Sequence, residues 1–161
     1  MSKPSLPQQS MRSFARSLPM ALLKARESVM VRFRPSLRAH GLTEQQWRVL
    51  RAMSAADQSL RPSELSGMTF ISMPSLSRLL KTLEGRALIT RGRHETDLRG
   101  AEFGLTPQGL AIVDEIAPES ETIYAEIERT LGQDNLEQLY RVLDQVVQRL
   151  GTPDAADAGG E

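Results

Sequence analysis

Cysteine is absent from the 161 residues. That excludes disulfides, thiolate metal sites and thiol redox sensing. Aromatic residues are scarce, at 4%, and there is a single tryptophan. No apolar run approaches the roughly 18 residues needed to span a bilayer. The N-terminal MSKPSLPQQSMRSF lacks the continuous apolar stretch of a secretory signal. A cytoplasmic protein without membrane contact is therefore expected. The two histidines, His40 and His94, are far apart, with no ligand spacing around them. Neither a G-x-S-x-G elbow nor a G-x-x-x-x-G-K phosphate loop occurs. No enzyme, metal site or cofactor is expected on these grounds.

A net charge of zero hides a strong segregation. Residues 1–106 carry 17 Lys+Arg against 8 Asp+Glu, and residues 107–161 carry 3 against 12. The basic part suits a polyanion partner. The acidic part suits either solvent or the basic N-terminal helix.

Length allows one domain with its own core. Residues 1–16, with Pro4 and Pro7 and no periodicity, read as a flexible arm. Leu18, Leu22, Ala25, Val29 and Phe33 make an apolar helical stripe. Pro35 should kink or end that helix, with a last turn reaching Gly41. Thr43 and Gln46 form a capping box that starts a second helix, with Trp47, Leu50 and Met53 on one face. RPSELSGM is a short helix ending at Gly67 and Met68. Ser72 caps the next helix, and Pro74 sits in its first turn. Leu76, Leu79, Leu80 and Leu83 face inward, and Gly85 begins the exit. LITRGR and AEFGLT then read as two strands of a hairpin with a charged tip.

Thr106-Pro107 opens another helix. Its stripe of Leu110, Val113 and Ile116 is interrupted by Pro118 and resumes at Ile123, Ile127 and Leu131. Gly132 breaks the chain. Asp134 with Glu137 caps a last helix expected to bury Leu136, Leu139, Leu143, Val146 and Leu150. Residues 151–161 read as a disordered tail.

This order predicts a mainly α fold with a small β wing. Residues 42–106 form a winged helix-turn-helix lobe. Residues 17–41 and 107–150 form a helical region outside it. Opposite the four leucines, Ser75, Arg78 and Thr82 share a face, with Ser77 and Lys81 flanking. Small groups near the N-terminus and an arginine suit a helix entering the major groove of double-stranded DNA. The N–H groups around Ser72 and Pro74 favour a phosphate oxygen. Arg91, Arg93 and Arg99, with His94, make the hairpin basic, and an arginine at its tip suits a narrow minor groove. Asp97, two residues away, either positions Arg99 or forms only a surface ion pair with it. The competing reading is a winged-helix protein-interaction module without DNA binding. Salt-sensitive DNA affinity separates the two.

TDLRGAEFGLTPQG resembles the wing signature of the MarR family of transcription regulators: an acid, an arginine two on, then LT and a glycine three beyond. LTEQQWRVL, PSELS and SMPSLSRLLKTLEGRALITR resemble its other blocks, so the likeness covers roughly residues 18–150. More narrowly, ALLKARESVMVRFRP followed by LTEQQWR resembles the regulators of homoprotocatechuate degradation operons within that family. Three details depart from the pattern: Arg61 in the cap slot of the short helix, Pro118 inside a long helix and Gly104 in a wing strand.

The resemblance implies a homodimer whose N-terminal and last two helices intertwine. The long apolar stripes outside the lobe independently call for a partner surface, or else for a bundle folded back within one chain. A two-fold dimer reads a pseudo-palindromic operator. The resemblance further implies a repressor of aromatic-acid catabolism, released by a small aromatic carboxylate such as homoprotocatechuate or 4-hydroxyphenylacetate. That effector binds between the helical region and the lobe. Arg26, at the edge of an apolar stripe, suits the carboxylate. It also suits Glu27 of the partner subunit or the acids at 115–121. Trp47 either stacks on the effector ring or is simply core. His40 and Arg51 are candidates for a phenol, and Met30 and Met53 for the wall. His40 equally fits a helix end.

Overall fold

Thr43 and Gln46 exchange hydrogen bonds: the Gln46 amide donates to Thr43 Oγ1 at 3.1 Å, and the Thr43 amide to Gln46 Oε1 at 3.0 Å. Two otherwise orphaned N–H groups are thereby satisfied, and a helix begins at Glu44. The computed structural model describes residues 13–56, 58–93 and 100–151, with Arg93 described by its backbone alone. In chain order the elements are α1 (Leu18–Ala39), α2 (Glu44–Ala55), α3 (Pro62–Thr69), α4 (Met73–Gly85), β1 (Ile89–Arg93), β2 (Ala101–Leu105), α5 (Pro107–Leu131) and α6 (Gln133–Leu150). The expected order is observed. Within the stretch expected to be a loose arm, Phe14–Arg16 form one 3-10 turn. Residues 1–12 and 152–161 lie outside the described residues.

Pro35 does not end α1, which runs on to Ala39, and Pro118 lies inside the one long helix α5, as expected. A proline removes the donor for the carbonyl four residues earlier. Here those carbonyls belong to Val31 and Asp114, and both residues and both prolines are exposed. Water can therefore serve the carbonyls, and the helices continue. The last helix also starts earlier than expected. It follows directly on Gly132, at φ 83, and has no side-chain cap, so Asp134 occupies its first turn.

The core belongs mainly to the lobe. Leu50, Leu65, Leu76, Leu83 and Leu88 are almost wholly buried, joined by Ile89 and Phe103 from the hairpin. Each such side chain contributes about 1.5–3 kcal/mol by leaving water. Leu79 is only partly buried, at the core's edge. Leu37 of α1 and Val113 and Ile116 of α5 enter the same cluster and hold the long helices onto the lobe.

β1 and β2 pair antiparallel, from Ile89 opposite Leu105 to Arg93 opposite Ala101. Leu60 adds a one-residue third strand, its amide and carbonyl both bonded to Phe103 at 2.9 Å. This bridge accounts for glycine at position 104. A Cβ there would stand 3.0 Å from Ser59 Oγ. Arg61 occupies the cap slot of α3 without capping it. Its amide instead donates to Glu64 Oε2 at 2.7 Å, and its Nε lies 3.9 Å from Glu102 Oε1.

Two turns use the left-handed region without glycine. Phe70, at φ 53, ends α3 one residue beyond Thr69, and Ala87, at φ 56, follows α4. Gly85, the expected exit, is still helical.

The apolar stripes of the long helices remain open on the single chain. Of the α1 stripe only Phe33 is buried, while Leu18, Leu22 and Val29 are exposed. No residue of α6 is buried; Leu139 is 45% and Leu150 77% exposed. The burial expected for that helix is therefore not met within one chain. No helix among the described residues is long and apolar enough to cross a membrane.

A Cβ on Gly109 would lie 1.9 Å from the Leu88 carbonyl oxygen. Since that neighbour is backbone, G109A should destabilise by about 1–3 kcal/mol, seen as a lower thermal midpoint. A87G should act in the opposite direction, by about 0.5–1 kcal/mol, by removing the strained left-handed alanine. An unchanged midpoint for either variant would contradict the packing described.

Candidate nucleic-acid interface and ligand cleft

Helix α4 buries Leu76, Leu80 and Leu83 and turns Pro74, Ser77, Arg78, Lys81 and Thr82 outward, with Ser75 half-buried. Ser72 holds the N-cap position, but its side chain makes no capping bond, which departs from expectation. Arg78 Nη2 donates to Ser75 Oγ at 3.4 Å, and Thr82 Oγ1 donates to the Arg78 carbonyl at 3.0 Å. Among the described residues, neither Arg78 nor Lys81 pairs with a carboxylate. The helix therefore offers cationic groups to solvent on the side away from the core. Arg91 is exposed on β1, opposite Phe103. His94, Asp97 and Arg99 lie outside the described residues, as does the Arg93 side chain.

A cleft of about 520 Å³ opens between α1, α2, α5 and the α3–α4 turn. Four rings line it: Phe33, Trp47, Phe70 and Tyr124. Phe33 and Tyr124 pack with centroids 5.1 Å apart, at 56°. Three guanidinium groups also face it, from Arg26, Arg48 and Arg51, with one carboxylate, Glu44. Val29, Met30 and Met68 supply aliphatic wall. The Arg51 Cζ lies 6.0 Å from the Trp47 ring centroid, and its Nη1 donates to the Tyr124 hydroxyl at 3.4 Å.

The cleft thus gathers four of the five residues suggested for a ligand: Arg26, Met30, Trp47 and Arg51. His40 stands apart. Its Nδ1 is 2.9 Å from the Ser36 carbonyl and its Nε2 3.6 Å from Glu115, so it links α1 to α5. Met53 is buried in the core and does not line the cleft. Trp47 is 8% exposed, so it is both core and wall.

Arg26 does not wait for an outside anion. It donates to Glu27 at 2.8 Å and to Glu44 at 2.5 Å, and Arg34 donates to the same two carboxylates at 2.5 and 2.6 Å. The four side chains close a ring of alternating charge between α1 and α2. The expected partners, the acids at 115–121, belong to α5 and take other roles, including a hydrogen bond from Ser36 Oγ to Glu119.

Sequence reasoning missed Arg48, Phe70 and Tyr124 as cleft residues. A signal existed for the first. Glu44, Trp47, Arg48 and Arg51 stand at i, i+3, i+4 and i+7, one side of a helix.

Burial raises the Glu44 carboxyl, but hydrogen bonds from Arg34 and Arg26, together with their charges, outweigh it and hold the group below its ordinary value near 4.5. Because the folded value is the lower one, the stabilisation is present above about pH 4.5 and is lost as pH falls through the folded value. E44Q should therefore be less stable than the parent chain at neutral pH and approach it as pH falls below the ordinary carboxylate range. Thermal melts across that range test this, and a constant difference would contradict it.

The MarR family model matches residues 40–100. The homoprotocatechuate degradative operon repressor of Escherichia coli is 34% identical over 145 residues, 90% of this chain and 97% of that protein. Among solved structures, NadR in complex with 4-hydroxyphenylacetate is 32% identical, with a TM-score of 0.73 over 84% of this chain and 96% of that one. The transcriptional repressor CouR, bound to a 23-mer DNA duplex, is 26% identical, with a TM-score of 0.75 over 85% of this chain and 98% of that one. Identity at this level, across nearly the whole of both chains, agrees with the helix-turn-helix and wing described above: the chain belongs to the MarR family and is a winged-helix transcription regulator.

Proposed function

We propose that this regulator is a cytoplasmic homodimeric DNA-binding repressor of aromatic-acid catabolism genes, released when a small aromatic carboxylate fills the cleft. One observation carries the reading. The floor of the cleft is the α3–α4 turn itself, through Met68, Thr69 and Phe70, and the cationic helix α4 begins three residues later at Met73.

The dimer is supported by the open apolar faces of α1, α5 and α6, since obligate interfaces resemble a core cut in half. DNA contact is assigned to Ser72, Pro74, Ser75, Ser77, Arg78, Lys81 and Thr82 on α4 and to Arg91, Arg93, Asp97 and Arg99 on the wing. Two such lobes suit half-sites about one helical turn apart. The effector ring would lie against Trp47 and Met30, with its carboxylate on the guanidinium group of Arg51, while Arg26, already paired with Glu27 and Glu44, borders the cleft. His40, outside the cleft, is left out of this assignment. The support is the combination of rings and cations in the cleft, together with the 4-hydroxyphenylacetate complex of NadR. Occupancy lowers DNA affinity only through a lobe arrangement that binds DNA less well.

Fluorescence anisotropy on DNA from upstream of the gene tests the reading. Binding should weaken steeply with salt, and 4-hydroxyphenylacetate should reverse it. R78A should lose about 1–3 kcal/mol on the operator and relax base preference. An equal loss on every sequence would refute a reading role for Arg78. R51A should lower 4-hydroxyphenylacetate affinity about tenfold or more, as befits a lost charge-assisted bond of about 1.5–3 kcal/mol. Trp47, the only tryptophan, reports this by its fluorescence, and an unchanged titration would remove Arg51 from the site.

A further inference from the structure

Arg48 is the one guanidinium in the cleft wall whose hydrogen bond goes to the helix-turn-helix turn. Its Nη1 donates to the Thr69 carbonyl at 2.9 Å. Thr69 is the last residue of α3, so this carbonyl is one of the orphan acceptors at a helix C-terminus, where a cation is also favoured by the helix dipole. Arg48 makes no ion pair among the described residues, whereas Arg26 makes two. Burial, reinforced by the charge of Arg26, lowers its pKa against the opposing pull of Glu44. A half-buried cation of this kind gains from an added anion.

The turn it holds is tightly specified. Phe70 sits in the left-handed region. The Phe70 amide donates to the Ser66 carbonyl at 2.9 Å, and Ser66 Oγ to the Ile71 carbonyl at 2.7 Å. Ser72 then holds the N-cap position of the cationic helix, without a side-chain bond. At its other end that helix is tied to the turn after α1, where Arg86 Nη1 donates to the Gly41 carbonyl at 2.8 Å. The α3–α4 turn is thus the end of α4 that faces the cleft.

We propose that Arg48 is the residue that couples effector occupancy to the recognition helix. One guanidinium holds the Thr69 carbonyl and the effector carboxylate at the same time. A guanidinium has five donors in a fixed fork. One is on Thr69, and others remain for an anion. A carboxylate arriving in the cleft therefore changes the geometry and strength of the bond that closes α3 and sets the start of α4. This inference rests on the cleft being the effector site. Arg48 is a positioning residue for DNA release, distinct from residues that only bind the effector.

The experiment uses full-length protein with 4-hydroxyphenylacetate as the probe. It compares wild type, R48K and R48M. Trp47 fluorescence reads binding. Amide hydrogen exchange over residues 69–76 reads the turn. DNA anisotropy with and without the probe gives the coupling ratio. In wild type the probe should bind, alter exchange at 69–76 and weaken DNA binding by a factor of roughly 5–150. R48K keeps the charge but loses the fork. It should still saturate with the probe while its exchange response disappears and its coupling ratio falls toward one. R48M should behave alike, and R48K carries the test if R48M does not fold. An exchange response and coupling ratio in R48K equal to wild type would overturn the proposal and leave the effector site standing. No Trp47 response in wild type would overturn the effector reading, and the proposal with it.

Discussion

Four guanidinium groups crowd the junction of α1 and α2, and only two carboxylates pair with them. Arg26 and Arg34 consume Glu27 and Glu44 completely, in a closed ring. Arg48 and Arg51 are left to a backbone carbonyl, a phenol and the face of an indole. Charge that is half-buried without a counterion is costly. The excess suits the cleft to an anion, and the ring ties the helical region to the lobe.

The lobe follows the sequence closely because its signals are local. The capping box at Thr43 and Gln46, the Thr106-Pro107 start and the leucines at 76, 80 and 83 each report a structure within a few residues of themselves. The wing strands are legible for the same reason. The long helices are less so. Pro35 reads as a kink or an end, and its exposure, like that of Pro118, shows why the helices pass through. Water supplies what the missing N–H cannot. The Leu60–Phe103 bridge involves one residue pair far apart in the chain, so periodicity cannot reveal it. Phe70 and Ala87 adopt a conformation that composition assigns to glycine; tertiary contacts hold it.

The cleft was half legible. Trp47, Arg51, Arg26 and Met30 stand out by type or by their place on an apolar stripe. Arg48 is signalled only by sharing a helix side with Glu44, Trp47 and Arg51, and its bond does not show, because the partner is a carbonyl 21 residues away. Tyr124 does not stand out, because α5 reaches the cleft only after folding. His40 is a ligand candidate by its chemistry, but its bonds tie the end of α1 to α5 instead. The open faces of α1 and α6 were legible as stripes, and their exposure on a single chain turns an expected burial into an argument for a second copy.

The account joins two sites through one turn, and linkage gives it a direct test. If a ligand weakens DNA binding, DNA must weaken ligand binding by the same factor. Calorimetric titration of 4-hydroxyphenylacetate into the free protein and into its operator complex measures this without any variant. The account predicts weaker binding in the complex, by the factor seen in the DNA titrations. Equal ligand affinity in the two titrations would contradict it, because the cleft and the recognition helix would then be independent.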